Sequence, residues 1–369
     1  MSYYILPKNN NNIFVNPICD NIDNKICISH SLYNYYYELL KQLISICSND
    51  ITNYSNNYNE IIKLINPYEY IFTNVPGSIF SVSKLNPKTM LFYDFLEIIK
   101  GLNILDNYKN KPIQSLHITP NYNDSIDCIE IFHEDNKEDK VLCFNKIDSD
   151  TYVSIHNIKF NFMFFEACYR NSNINSYIVN FIEIFMIILN HQTVDGISII
   201  KINEIIHKPI IELIYLLTSI FEKVYIIKPN TNNITNFEKY IVCKNFINDP
   251  YKLEVNKYNY KILQNSLKNI DNKNIISIIN KELPYYFINK IDEINIIIGQ
   301  QQLEALDQMI NILKNKNKEE KIENIKKINI QKSIGWCEKF KIPCNKFSEK
   351  INIFLPIIKE LSDSISENS

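Results

Sequence analysis

The stretch DGISIIKINEIIHKPIIELIYLLTSIFEKVYIIKPNTNNITNFEKYIVCKNF, from Asp195 to Phe246, decides how this chain folds. An apolar run, Ile197 to Ile202, follows Gly196 and is interrupted only by Ser198 and Lys201, which predicts a buried strand. Pro209 suits the first turn of a helix, and Ile210, Leu213, Ile214 and Leu217 fall on one face of it. Val224 to Ile227 is a second strand, closed by Lys228-Pro229. A loop rich in Asn and Thr leads to a third, Tyr240 to Cys243. Strand, helix, strand, loop, strand is the grammar of an α/β domain whose last two strands form a hairpin-like edge. Lys201 falls near the end of its strand and Glu238 just before the final one. Strand ends are where α/β sheets place their chemistry.

Outward from this stretch the pattern continues. Upstream, Ile174 to Asn190 reads as a strongly apolar helix and Phe160 to Ala167 as a buried strand. Val141 to Asn145 and Tyr152 to Ile155 are expected strands, as is Gln114 to Thr119. Leu91 to Leu105, Asn57 to Ile65 and Ser31 to Cys47 are expected helices, and Met1 to Ser29 a loosely packed arm. Downstream, Tyr258 to Leu267, Glu282 to Lys314 and Glu319 to Phe340 read as helices of mixed charge. The run KNKNKEEKIENIKK marks a solvated face or loop, not a nucleic-acid patch. The domains expected are a helical arm and loop over 1–88, a sheet domain over 89–250 and a helical extension over 251–369. Trp336, the single Trp, is expected to anchor that extension to the sheet. Tyr35, Tyr36 and Tyr37 are read as helix packing, with a base- or cap-stacking platform as the sharper alternative.

With 369 residues, 46% of them hydrophobic, the chain can bury a large core. A net charge of -2 is no general polyanion-binding signature. Asn, Ile, Lys and Tyr dominate and Arg170 is the single Arg. All four abundant types have A/T-rich codons, so their abundance reports base composition more than function. The 9 cysteines show no CxxC pair and no cluster with His at metal spacing, so buried reduced thiols and no metal are expected. No signal peptide, lipidation motif or long uncharged apolar run is recognised, so a cytoplasmic protein without a membrane is expected.

Particular residues carry a resemblance. Gly196, Lys201, Lys228-Pro229, Glu238, Lys239 and Tyr240 follow the order and spacing of an FtsJ-like ribose 2′-O-methyltransferase domain, in the branch found in large DNA viruses and cap-specific enzymes. That family has a Gly-rich turn, a strand ending in Lys, a helix, a "KPxxSRxxSxEKY" loop and a final strand. Asn66 to Met90, NPYEYIFTNVPGSIFSVSKLNPKTM, is similar to a segment that precedes the first catalytic helix in the viral branch. Ile334 to Glu338 with Ile342-Pro343 resembles an ending of viral members. The resemblance implies a Rossmann-like methyltransferase fold, with a mixed seven-stranded sheet and added N- and C-terminal helices. It also implies a Lys-Asp-Lys-Glu catalytic tetrad and a Gly-rich turn that cradles S-adenosylmethionine.

This chain departs from that pattern where the chemistry lies. Lys201 and Glu238 keep two tetrad positions, while Asp94 stands for the other Lys and Glu166 for the Asp. Asn123 and Asp124, after Asn121, stand where the cofactor turn has its Gly pair. Their side chains fill ligand space, although both can take left-handed backbone angles. Deprotonating a ribose 2′-hydroxyl needs a base, and an anion in place of a neighbouring cation raises the pKa of Lys201 instead of lowering it. Three functions follow. The first is a catalytically inactive methyltransferase-fold protein that needs no cofactor. It would bind RNA or cap, or scaffold a protein partner, in viral mRNA processing or translation. The second is an active, S-adenosylmethionine-dependent cap ribose 2′-O-methyltransferase. The third is a structural interaction protein without RNA contact.

Overall fold

The computed structural model describes residues 2–48, 54–133, 138–167, 173–247, 249–269, 273–279, 281–314, 319–345 and 347. Cys168, Arg170 and part of the Lys/Asn/Glu run after Lys314 lie outside them. The N-terminal elements are β1 (Ser2–Ile5), β2 (Ile18–Asp20), α1 (His30–Ser48), α2 (Tyr54–Ile65) and α3 (Leu91–Gly101). The central ones are β3 (Gln114–Ile118), α4 (Tyr122–Phe132), β4 (Lys140–Phe144), α5 (Ser149–Ser154), β5 (Phe160–Glu166), α6 (Ile174–His191), β6 (Gln192–Ile202), α7 (Lys208–Ile220), β7 (Phe221–Lys228) and β8 (Lys239–Phe246). The chain continues through α8 (Pro250–Lys268), β9 (Asn274–Ser277), α9 (Tyr285–Lys314) and α10 (Glu319–Phe340).

The chain forms two compact units, cut differently from the 1–88, 89–250 and 251–369 expected: 1–40 with 91–304, and 41–90 with 305–369. The first unit holds a seven-stranded sheet in the order β1-β7-β8-β6-β5-β3-β4. β4, β3, β5 and β6 run parallel, and β8 runs antiparallel between β6 and β7. This is the mixed α/β sheet with flanking helices that the sequence predicts. β5 (FNFMFFE) and the centre of β6 are buried on both faces, as strands sandwiched between helices must be. α7 is buried along all but its first residue, and α6 is nearly as apolar. α6 is long and apolar enough to cross a membrane, and 67% of it is buried inside the protein. β2 and β9 pair in a separate two-stranded sheet.

Several expectations are corrected. The arm before Ser29 is not loose: β1 pairs antiparallel with β7, and Leu6 and Val15 are buried. The β7–β8 pair is therefore not the sheet edge, and six strands, not seven, come from 91–246. Tyr152 to Ile155, β-branched and aromatic enough to suggest a strand, falls at the end of α5. There Asp148 caps the helix: its carboxylate accepts from the Thr151 N–H at 3.0 Å, and the Thr151 hydroxyl reaches back to the Asp148 N–H. α3 stops at Gly101 rather than Leu105, because Asn103 takes a left-handed conformation (φ 49°) before a short 3-10 turn, Ile104–Tyr108.

In the second unit α10 packs on α2 and on the 3-10 turn Glu69–Ile71. Trp336 is buried there, its ring 4.7 Å from that of Phe340.

Candidate functional site

Sheet register builds the site. Glu166 on β5 lies directly opposite Lys201 on β6, which lies opposite Tyr240 on β8. Residues abreast in neighbouring strands share a face, so three polar side chains stand in one row at the carboxyl ends of β5 and β6. β8 runs the other way, so Glu238, one residue before it, arrives at the same end. The Lys201 ammonium lies 3.0 Å from a Glu166 oxygen and 3.3 Å from a Glu238 oxygen. The Thr119 hydroxyl, just past β3, donates to the other Glu166 oxygen at 2.7 Å. The Asn232 amide donates to Asp94 at 2.6 Å and to Glu238 at 3.3 Å, which ties α3 into the row. Asp94 also accepts from the Thr231 hydroxyl at 2.6 Å and the Tyr240 hydroxyl at 3.1 Å. All four residues of the predicted tetrad register, Asp94, Glu166, Lys201 and Glu238, thus come together.

Charge in this row is set by burial and pairing. Burial alone would lower the Lys201 pKa. Glu166 and Glu238, with Asp94 behind them, outweigh it and hold the ammonium above the ordinary lysine range. Burial pushes Glu238 upward, but Lys201, the Asn232 amide and Lys228 bring it below the usual glutamate value. Asp94 is fully buried, which raises it to about 6 against the hydrogen bonds of Thr231 and Asn232. Burial, then the neighbouring carboxylates, raise the Tyr240 phenol well above its usual value. The arrangement can donate hydrogen bonds and hold charge.

Sequence reasoning named Lys228 only in the pair Lys228-Pro229 and gave it no role of its own. Its Nζ lies between 2.6 and 3.0 Å from five oxygens: Asn232 Oδ1, the carbonyls of Asn233 and Asn236, Asn236 Oδ1 and the Glu238 carbonyl. Burial, with Lys239 acting the same way, draws its pKa down to about 7. Yet a neutral amine has two hydrogens and a lone pair and could serve only two of five acceptors. The cage fits the ammonium. One turn along α3 from Asp94, buried Glu97 accepts the N–H groups of Asn230 and Thr231 at 2.9 and 3.3 Å. Lys228 and Glu97 therefore fix the loop that presents Asn232 and Glu238. The only signal in the sequence was the pair Lys228-Pro229.

The other predicted positions stand apart from this row. Tyr122 opens α4 within four residues of β3, so Asn123 and Asp124 lie in the first turn of a right-handed helix after Asn121. The left-handed turn considered from sequence does not form. Asp124 is buried and suits a helix N-terminus. Beside it the Ser125 hydroxyl donates to the Tyr122 carbonyl, and the His117 Nδ1 lies 2.8 Å from the Ser125 oxygen. Burial lowers the His117 pKa to about 3, so the ring is neutral. Gly196 is not a ligand turn either. It lies inside β6, where a Cβ would meet the Gln192 amide nitrogen at 2.0 Å and the Thr193 carbonyl at 2.9 Å. The Tyr36 ring lies tilted against that of Phe237, centroids 4.3 Å apart, and its hydroxyl donates to the Thr235 carbonyl, while Tyr35 and Tyr37 are exposed. Among the described residues no group of His, Cys, Asp or Glu could hold a metal ion.

Sheet order and strand directions define a Rossmann-like mixed α/β protein. No protein-family model matches the sequence, and no curated protein matches it. Among solved structures, human methyltransferase-like protein 13 in complex with SAH is similar at 10% identity. The match covers 46% of this chain and 91% of that one, with a TM-score of 0.26. So slight a likeness bears on neither ligand nor activity.

Proposed function

We propose that this methyltransferase-fold protein no longer transfers methyl groups, and serves as an RNA- or cap-binding or scaffolding subunit in viral mRNA processing or translation, in the cytoplasm of the host. One observation carries the reading: Lys201 is clamped between Glu166 and Glu238, 3.0 and 3.3 Å away. A lysine that activates a ribose hydroxyl must be neutral part of the time. The FtsJ-like tetrad itself sets an Asp and a Glu beside its central lysine; what departs here is buried Asp94, an anion where that pattern has a second lysine, and it acts in the opposite direction. Glu166 in place of Asp also adds a methylene between backbone and carboxylate, enough to displace an orienting group. Buried Asp124, in the register of the cofactor turn, supports the same reading. The viral mRNA setting rests on the resemblance of residues 66–90 and 195–246 and on the A/T-rich codon bias.

The test incubates the full chain with capped RNA and labelled S-adenosylmethionine, beside thermal melts of the parent and Lys201→Ala. No cofactor-dependent label and a lowered melting temperature in the variant are expected. Methylation by the parent, lost in the variant without a change in melting, would defeat the proposal. Capped-RNA retention that falls steeply with salt would select the RNA-binding form over the scaffold.

A further inference from the structure

In the first unit α8 packs on α6 and carries Lys252, Lys257, Lys261 and Lys268 against a single acid, Glu254. Tyr251, Tyr258, Lys261 and Lys268 recur at three- and seven-residue spacing and are exposed, so they line one outward stripe about 26 Å long. The N-terminal arm lies against this helix. Asn259 fixes it there: its side-chain oxygen accepts from the Val15 N–H at 3.0 Å, and its amide donates to the Ile13 carbonyl at 2.9 Å. Phe14, between those two, is thereby held beside the stripe, its ring edge-on to that of Tyr258 with centroids 5.4 Å apart. Tyr251, Tyr258 and Phe14 are each about half exposed.

Cations gather on this face without counter-ions. Burial, then Lys8 on the arm, lowers the Lys252 pKa; burial, then Lys257, lowers that of Lys159, just before β5. The ammonium groups of Lys252 and Lys159 donate to carbonyls, of Ser219 at 2.8 Å and Asn190 at 2.5 Å. Among the described residues none of Lys8, Lys159, Lys252, Lys257 and Lys261 forms an ion pair, whereas Lys109 and Lys290 pair with Asp106 and Glu293. The abundance of lysine in the chain therefore does not account for this face, where lysines are set beside lysines. Lys159 precedes β5 and Ser219 precedes β7, so the face lies toward the amino ends of those strands, away from the row at Lys201. Ammonium groups interleaved with open aromatic rings match a strand that offers both phosphates and unstacked bases. An acidic protein segment would answer the charge and leave the rings unused.

We propose that this face of α8 and the arm binds single-stranded RNA, with phosphates on Lys252, Lys257 and Lys261 and bases stacked on Tyr251, Tyr258 and Phe14. It rests on the RNA-binding form of the function above and assigns that binding to the end of the sheet away from Lys201. The test titrates the full chain into fluorescent, uncapped single-stranded RNA of about 12 nucleotides and reads anisotropy at several salt concentrations. Lys257→Glu with Lys261→Glu, both exposed, should weaken binding about tenfold or more and flatten the salt dependence, at the parent's melting temperature. Tyr258→Ala should weaken binding several-fold with the salt dependence unchanged, because it removes stacking and no charge. Lys140→Glu with Lys146→Glu, exposed at the β4 edge, should stay within roughly twofold of the parent. A duplex of the same length should bind more weakly than the single strand. A parent that binds while both α8 variants bind equally well, or a β4-edge pair that loses as much, would overturn the assignment of the surface and leave RNA binding standing. No binding by the parent would overturn it together with the RNA-binding form. Equal affinity for duplex, or tighter binding of poly-glutamate than of RNA, would overturn it in favour of a general polyanion or an acidic protein.

Discussion

At the carboxyl ends of β5 and β6, Glu166 and Glu238 pair with Lys201, and Asn232 links Glu238 to Asp94. At the carboxyl end of β3, in the same sheet, the chain turns at once into α4, and Asp124, Ser125 and His117 are buried there. The first region keeps the groups a proton-transfer site would use but has paired them with one another. The second closes with a packed helix start. Thr119 joins the two, because its hydroxyl donates to Glu166. The contrast teaches that the same sheet end can hold ionisable groups in a paired row or close over them with a helix start, and that the neighbours decide which charge state each group keeps.

Four substitutions would break or sharpen this contrast. The largest effect should come from Lys228→Met, which removes the ammonium shared by five oxygens of a buried loop. The carbonyls of Asn233 and Asn236 and Asn236 Oδ1 keep a second donor, while Asn232 Oδ1 and the Glu238 carbonyl lose the one described for them. A loss of about 4 kcal/mol is expected from chemical denaturation, at 1–3 kcal/mol for each unsatisfied buried group and partial relaxation. A loss below about 1 kcal/mol would mean the cage is incidental. Lys201→Ala should cost about 3 kcal/mol in the same assay, because it leaves Glu166 and Glu238 facing each other without the ammonium between them.

Asp94→Asn tests pH dependence. The folded-state pKa of Asp94 is raised, from 3.8 to about 6, so the folded protein binds more protons than the unfolded chain between those values. Asp94 therefore costs stability as pH rises through that window. Relative to Asp94→Asn, the parent should lose about 2 kcal/mol between pH 4 and 6.5. A constant difference across that range would show that Asp94 is not held this way. Glu238 acts oppositely: its lowered pKa gives stability that is present above the usual glutamate value and lost as pH falls through the folded one. Comparing parent and variant at each pH removes that contribution. The smallest effect belongs to Thr119→Val, which deletes the 2.7 Å hydrogen bond to Glu166 and should cost about 1.5 kcal/mol.

Much of the fold was legible because it is written in periodicity. The apolar runs of β5, β6 and β7 and the all-round apolar helices α6 and α7 announce a buried sheet. β1 was not legible, because SYYI is short and its strand pairing depends on β7, more than two hundred residues away. α5 was misread because its sequence favours strand while a local cap at Asp148 decides for helix. In the site, Lys201 and Glu238 could be placed from their positions at strand ends. Asp94 and Glu166 were placed only through the resemblance. Asn232 escaped notice because Asn is abundant everywhere in this chain, and Lys228 was read only as half of the pair Lys228-Pro229, with no role of its own. Their roles come from a loop geometry that no local pattern encodes.

The central claim is that Lys201 is a structural ammonium. It is tested most directly by following the side-chain Cε resonance of Lys201 by NMR, in full chain labelled with ¹³C-lysine and assigned by its loss in Lys201→Met, as pH is raised from neutrality. Glu166 and Glu238 raise the Lys201 pKa, so the ammonium's contribution to stability is complete below the ordinary lysine value and is lost only above it. The account predicts a resonance that stays at its charged position through the pH range in which exposed lysines titrate. A Lys201 that titrates near pH 7 to 8, about where a working general base would sit, would contradict it.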